Sequence, residues 1–199
     1  MIDFYTSDTA NGKRVELMLE ELGLPFTQYQ LSLSTGETRT DEFLKLNPSG
    51  RIPVIVDHEV LENDKPLILT QSAAILLYLA EKTGQFLPQN NLNRASVIEW
   101  LFFDATDIAT TQFDAFLLDL HDEGQASEVL SSRLMSYYTV YDQHLSTAKF
   151  LGGDRYSIAD IAAFPWARSM QHSEMKNLHN LQRWMKEISK RKSVEKIFK

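Results

Sequence analysis

The sequence contains no cysteine. Disulfides, thiolate metal sites and cysteine nucleophiles are therefore excluded, and any thiol chemistry must take its sulfur from a ligand. No apolar run approaches the roughly 18 residues that a membrane span needs. No secretory leader is visible, because Asp3, Asp8, Lys13 and Arg14 fall where its apolar stretch would lie. A soluble, cytoplasmic protein is the expectation. Positive charge is also scarce: 20 Lys and Arg stand against 27 Asp and Glu, a net charge of −7. A nucleic-acid or anionic-membrane partner would want a basic face, so neither is expected. A local basic pocket for a small anion remains compatible. The five histidines, His58, His121, His144, His172 and His179, show no ligand spacing such as His-x-x-x-His, and no metal site is read. There is no internal repeat and no low-complexity tract.

The 199 residues suffice for one domain or two small ones with a proper core. Residues 2–5 read as a short strand. Residues 12–22 read as an amphipathic helix with Val15, Met18, Leu19 and Leu22 on one stripe, stopped by Gly23. Residues 26–33 alternate and read as a second strand. This βαβ unit predicts parallel pairing and a right-handed crossover. A short helix over 42–46, strands over 54–56 and 67–69 and a helix over 71–82 complete a βαβ-α-ββα order. That order predicts a thioredoxin-like α/β domain over residues 1–83. Residues 84–93, with Pro88 and three asparagines, read as a linker. Residues 94–199 read as an all-helical domain. Its helices are expected over 94–120, 128–145, from Ser157 towards Met170, and over 181–190. Ser157-Ile158-Ala159-Asp160 is a capping signature, and Pro165 predicts a kink in the helix it opens.

Two segments carry the chemistry. In Asn47-Pro48-Ser49-Gly50-Arg51-Ile52-Pro53-Val54 a Pro/Gly turn runs into a strand with proline at its mouth. Proline cannot donate to a sheet ladder, and X-Pro is where a cis peptide bond is accessible. A bend there turns the backbone of Arg51 and Ile52 outward, free to pair with an extended ligand. In Thr70-Gln71-Ser72-Ala73-Ala74-Ile75 a hydrogen-bonding pair stands at a strand-to-helix junction, where a carboxylate fits the helix N-terminus. Together they predict a cleft for an acidic peptide.

Both segments resemble the glutathione transferase superfamily, and the resemblance covers nearly the whole chain. The opening Ile2-Asp3-Phe4-Tyr5-Thr6, Thr9-Ala10-Asn11-Gly12 and the run from Ala74 to Gly84 look most like its bacterial Nu-class branch. The resemblance implies glutathione as cosubstrate, weak transferase activity and glutathione-dependent disulfide reduction. It also implies that an N-terminal thioredoxin-like domain binds glutathione, and a homodimer is expected because the long first helix of the helical domain is broadly apolar. The second substrate would be a small apolar electrophile or a disulfide. Ile52, before a cis Pro53, would pair its backbone with the cysteine of glutathione. Gln71 and Ser72 would hold the γ-glutamyl end, and Arg51 the glycine carboxylate, with Arg39 and Lys45 as weaker candidates.

On residue type alone, Thr9 and Asn11 read first as helix caps. The resemblance sets them against the glutathione sulfur instead, where two donors and a helix N-terminus would favour the thiolate. Tyr5 and Ser7 are rivals for that role. Tyr5 sits early relative to Gly12 and reads as a core tyrosine, and Ser7 as a loop serine. Gln71 departs from the Glu-Ser of the nearest bacterial pattern. Classes with glutamine borrow a carboxylate from the partner subunit, and Asp107, or less directly Asp104, is the candidate here. Their alternative is a solvated helix face. Trp100, Phe102, Phe103, Phe113 and Phe116 form an aromatic stripe that is core at helical spacing, one or two of which would line an electrophile pocket. The rival reading of the whole chain is a non-catalytic, glutathione-transferase-like binding or regulatory protein. A maleylacetoacetate-isomerase-like enzyme would want a Ser-Ser-Cys type motif, which a chain without cysteine lacks.

Overall fold

The structure is a computed structural model and describes residues 1–62, 65–121, 124–170 and 175–199. His172 lies outside the described residues. The chain divides into two compact units, Met1–Gln85 with Lys196–Lys199, and Phe86–Glu195.

The first unit is built on a four-stranded mixed sheet of order β2-β1-β3-β4. Its strands are β1 (Ile2–Thr6), β2 (Phe26–Gln30), β3 (Val54–Glu62) and β4 (Lys65–Thr70). β1 pairs parallel with β2 and antiparallel with β3, and β3 pairs antiparallel with β4. The parallel pair requires a crossover, supplied by α1 (Ala10–Leu22). The expected stripe on α1 is too narrow, since Arg14 and Leu17 are buried along with Val15, Met18 and Leu19. The helix packs on α3 (Ser72–Thr83), and its Gly12 abuts the end of β1, so it hides more than one stripe. Gly23 ends it in the left-handed region at φ 63°, where glycine carries no Cβ penalty. β2 stops at Gln30, three residues before the expected end, because Ser32 Oγ accepts from the Thr35 amide and turns the chain. The short helix α2 spans Asp41–Leu46 and is capped by Thr40.

The C-terminal half of α3 is fastened to β3 by a buried carboxylate. Asp57 is fully buried and accepts from the Tyr78 hydroxyl at 2.7 Å, from Lys82 Nζ and from the Glu59 amide at 3.0 Å. Burial alone would raise the Asp57 carboxyl, but the hydrogen bonds from Lys82 and Tyr78 outweigh it and hold it below its ordinary value. Burial and the Asp57 carboxylate together push the Tyr78 phenol up to about 12.

The second unit is helical. Helix α4 (Asn91–Phe103) opens three residues before Arg94 because Asn90 caps it, its side chain accepting from the Asn93 amide. The expected helix over 94–120 is one continuous rod with a π turn at Asp104–Ile108 between α4 and α5 (Ala109–Leu120). Then come α6 (Gly124–Leu145), α7 (Ile158–Ser169), α8 (His179–Ile188) and a short α9 (Lys192–Ile197) that periodicity did not reveal. Ser157 and Asp160 form the expected capping box. α7 is buried on every side from Ile158 to Ala167 and continues through Pro165 to Ser169. Asp160 also accepts from Leu151 N and Trp184 Nε1, joining α7, α8 and the preceding loop. Asp142 of α6 accepts from the Asn180 and Leu181 amides, which starts α8 two residues before Leu181. No described helix is long and apolar enough to cross a membrane.

The lowered Asp57 carboxyl sets a sign. It stabilises the fold fully above the ordinary carboxylate value of about 4, and that contribution is lost as pH falls through its folded value. Urea midpoints measured from pH 6 to pH 3 should therefore fall more steeply for the wild type than for Asp57→Asn. Lys82→Met, which strands the buried carboxylate, should cost about 3 kcal/mol at neutral pH. Parallel midpoint curves would show that the pair contributes nothing.

Candidate functional site

Two helix N-termini meet in the first unit. Thr9 ends the β1–α1 loop in extended geometry, and its Oγ1 accepts from the Gly12 amide at 3.1 Å. The cap reading of Thr9 is thus realised, yet capping uses only an oxygen lone pair and leaves the hydroxyl proton as a donor. Asn11, in the first turn of α1, accepts at Oδ1 from Ser72 Oγ at 3.2 Å. Ser72 is the first residue of α3, so this bond joins the starts of α1 and α3. Arg14 Nη1 donates to the same Ser72 oxygen at 3.3 Å. Gly12 makes the junction possible. A Cβ there would stand 2.4 Å from both the Ser7 carbonyl and Thr6 Oγ1.

Gln71 precedes α3 with φ 68° and ψ 109°, a left-handed φ in a non-glycine residue. Such geometry costs on the order of 1–3 kcal/mol and clusters at functional positions. Its exposed side chain makes no capping bond.

The Pro/Gly turn is held by Asn47, whose Nδ2 donates to the Arg51 carbonyl at 2.6 Å and whose Oδ1 accepts from the Ser49 amide at 3.1 Å and hydroxyl at 2.8 Å. The Ile52-Pro53 bond is cis. β3 begins at Val54, so the N–H and C=O of Ile52 lie outside the ladder. Arg51 and Lys45 are exposed. Arg39 is committed to the turn. Its Nη1 donates to the Ser49 carbonyl at 3.1 Å and its guanidinium lies against Gly50, which has φ 62° and no room for a Cβ.

Tyr5 stacks on Tyr29 at 4.7 Å and meets Phe43 edge-on, and burial first, then Asp3 and Tyr29, raise its phenol. Ser7 contributes its carbonyl, which accepts from the Thr9 amide at 2.8 Å. In the helical unit Asp104 is buried on the π turn, a geometry frequent at functional sites. Asp107 is half-buried and accepts from the Thr106 hydroxyl at 2.7 Å. Trp100 and Phe103 pack with Tyr141, and Trp100 lies 4.2 Å from the His144 ring, so both are half-buried in an aromatic cluster. Phe102, Phe113 and Phe116 are 57%, 48% and 56% exposed and are not. Among the described residues no cluster of three His, Asp or Glu side chains suits a metal.

Sequence reasoning missed Arg14 and Asn47. Arg14 carried a signal, since it falls on the apolar stripe one turn before Met18, where an arginine needs a buried partner. Replacing Gly12 with Ala tests the junction. The overpacked turn should cost about 1–3 kcal/mol in urea unfolding. Unchanged stability would mean that the contact between the first turn of α1 and the end of β1 is dispensable.

Similarity to known proteins points the same way. The glutathione S-transferase N-terminal domain matches residues 10–82, and the C-terminal domain matches residues 101–192. The Escherichia coli disulfide-bond oxidoreductase YfcG is 36% identical over 176 residues, 85% of this chain and 80% of that protein. The E. coli disulfide-bond oxidoreductase YghU is 30% identical over 98% of this chain and 73% of its own length. Among solved structures, a Pseudomonas fluorescens glutathione transferase family member with two glutathiones bound superposes with a TM-score of 0.91. It is 32% identical, covering 98% of this chain and 91% of that one. A Pseudomonas putida glutathione transferase holding one glutathione disulfide per subunit has the same TM-score at 28% identity, covering 100% of this chain and 90% of that one. With both domains matched in order and a relative this similar along most of both chains, the chain belongs to the glutathione S-transferase family.

Proposed function

We propose that this protein is a glutathione-dependent enzyme in which the glutathione thiolate attacks a soft electrophile or one sulfur of a disulfide. The observation that carries the reading is the Asn11–Ser72 junction, which brings two helix N-termini and the Thr9 hydroxyl to one place. The bound glutathione and glutathione disulfide of the Pseudomonas structures, and the disulfide-bond oxidoreductase names of the E. coli relatives, support it.

In this reading the Thr9 hydroxyl and the Asn11 amide donate to the sulfur. The Ile52 backbone pairs with the cysteinyl residue, and the cis Pro53 shapes that edge. Gln71 and, through its backbone N–H at the N-terminus of α3, Ser72 hold the γ-glutamyl end, and Arg51 takes the glycine carboxylate. Because the chain has no cysteine, both electrons for disulfide reduction come from two glutathione thiols. The first thiolate forms a mixed disulfide and expels one thiolate of the substrate. The second attacks that mixed disulfide, releasing the other thiolate and glutathione disulfide.

The helical unit supports a homodimer. Phe113, Phe116, Leu117 and Leu120 form an exposed apolar stripe on α5. In a dimer, Asp107 of the partner subunit would supply the charge that Gln71 lacks. A cytoplasmic location accords with this thiol chemistry.

Activity is tested with a chromogenic aryl halide and a mixed disulfide. We expect glutathione binding and turnover of at least one substrate, with Asn11→Ala lowering kcat about ten- to a hundredfold through loss of one charge-assisted hydrogen bond. Binding without turnover of either substrate would favour a non-catalytic binding protein.

Gln71 is tested by titrating glutathione into the wild type, Gln71→Glu, Asp107→Asn and the double variant. If the glutamine meets the ammonium only as a dipole, Gln71→Glu should tighten binding by about 1 kcal/mol, or about fivefold, and less in salt. If Asp107 of the partner subunit already neutralises the ammonium, affinity should stay flat or fall. Additive effects would reject a shared ammonium. So would sedimentation as a 22.8 kDa monomer at micromolar concentration.

A further inference from the structure

Arg14 is 1% exposed, yet it lies beside the proposed site and donates to Ser72 Oγ at 3.3 Å. A guanidinium can only donate. The Ser72 oxygen must therefore accept from Arg14. Its single proton is left to be donated, and the acceptor in place is Asn11 Oδ1 at 3.2 Å. Ser72 is itself buried, so a proton aimed at nothing would be costly. The chain of donors thus runs one way, from Arg14 through Ser72 to Asn11. An asparagine amide has one accepting end and one donating end. Once Oδ1 is claimed by Ser72, Nδ2 must face away from it.

We infer that Arg14 is a positioning residue that acts through Ser72 to lock the Asn11 side chain with its NH2 group presented to the glutathione sulfur. The inference rests on the proposed reading that Asn11 meets the thiolate. Arg14 itself touches no substrate. A flipped Asn11 would turn its carbonyl oxygen on a thiolate and repel it. Lys13, the neighbouring cation on α1, is engaged with Asp8 at 3.6 Å and Glu16 at 3.3 Å and takes no part in the chain.

The test compares wild type, Arg14→Lys, Arg14→Met, Ser72→Ala and the Arg14→Met/Ser72→Ala double variant with two readouts. The first needs no glutathione: the side-chain amide resonances of Asn11 in 15N-labelled protein. One sharp set is expected in wild type and Arg14→Lys, and doubled or broadened signals in Arg14→Met and Ser72→Ala. One unchanged set throughout would overturn the inference. The second is the ultraviolet thiolate signal of bound glutathione against pH. The bound thiol should titrate about one unit higher in Arg14→Met and in Ser72→Ala, equivalent to about 1.4 kcal/mol. In the double variant it should rise no further than in Ser72→Ala. Additive shifts would make Arg14 a simple buried charge and overturn the relay. Should Arg14→Met not fold, Ser72→Ala against Arg14→Lys carries both readouts. If wild type binds no glutathione, the proposed function fails, while the amide signals still decide the orientation of Asn11.

Discussion

The first turns of α1 and α3 must be held together, and the Ser72 hydroxyl does this. Each helix start exposes unpaired amides and about half a positive charge. Bringing two such ends together beside a buried guanidinium concentrates positive potential. A neutral hydroxyl and a neutral amide can bridge them because each offers an oxygen to one side and a proton to the other. Gly12 removes the side chain that would otherwise hold the first turn of α1 off the end of β1. The result is a place suited to an anion, built from groups that keep their donors.

Helix α3 is fastened unevenly. Far from the site, Asp57 grips Tyr78 and Lys82 in a buried, charged arrangement whose disruption costs several kcal/mol. At the site end, Ser72 is held by hydrogen bonds of 3.2 and 3.3 Å, long and modest in strength. The strong anchor fixes the helix and frees the weak end from carrying stability. The helical unit repeats the strategy with Asp160, whose two oxygens receive Leu151, Ser157 and Trp184 and fix α7 to its surroundings.

Local signals were legible in the sequence. The glycine stop at Gly23, the capping box at Ser157 and Asp160 and the βαβ order follow from backbone chemistry within a few residues, and the structure has them. The cis bond before Pro53, expected from the resemblance and the strand-mouth proline, is also present. What stayed hidden depends on residues far apart. Asp142 starts α8 from another helix, and α9 is too short for a periodic pattern. The π turn at Asp104–Ile108 inserts one residue into a helical rhythm that reads as unbroken. Candidate residues were found by type, but Arg14 became visible only once Ser72, 58 positions away, stood beside it. The strained φ of Gln71 likewise leaves no mark in residue order.

A chain without cysteine has one principal lever on sulfur reactivity, the ionisation of the thiol it binds. A free thiol ionises near pH 8.5, and the thiolate is the nucleophile. Lowering that value raises the thiolate fraction but weakens the thiolate, so the best attacking sulfur has a pKa near ambient pH. In the proposed reading, two neutral donors at a helix N-terminus would supply a shift of about one or two units, which lands near that optimum. A guanidinium in direct contact with the sulfur would overshoot it and yield a stable, sluggish thiolate. In the inferred relay Arg14 would sit behind Ser72 and Asn11, so that its donor-only character fixes direction while its charge stays off the reacting atom.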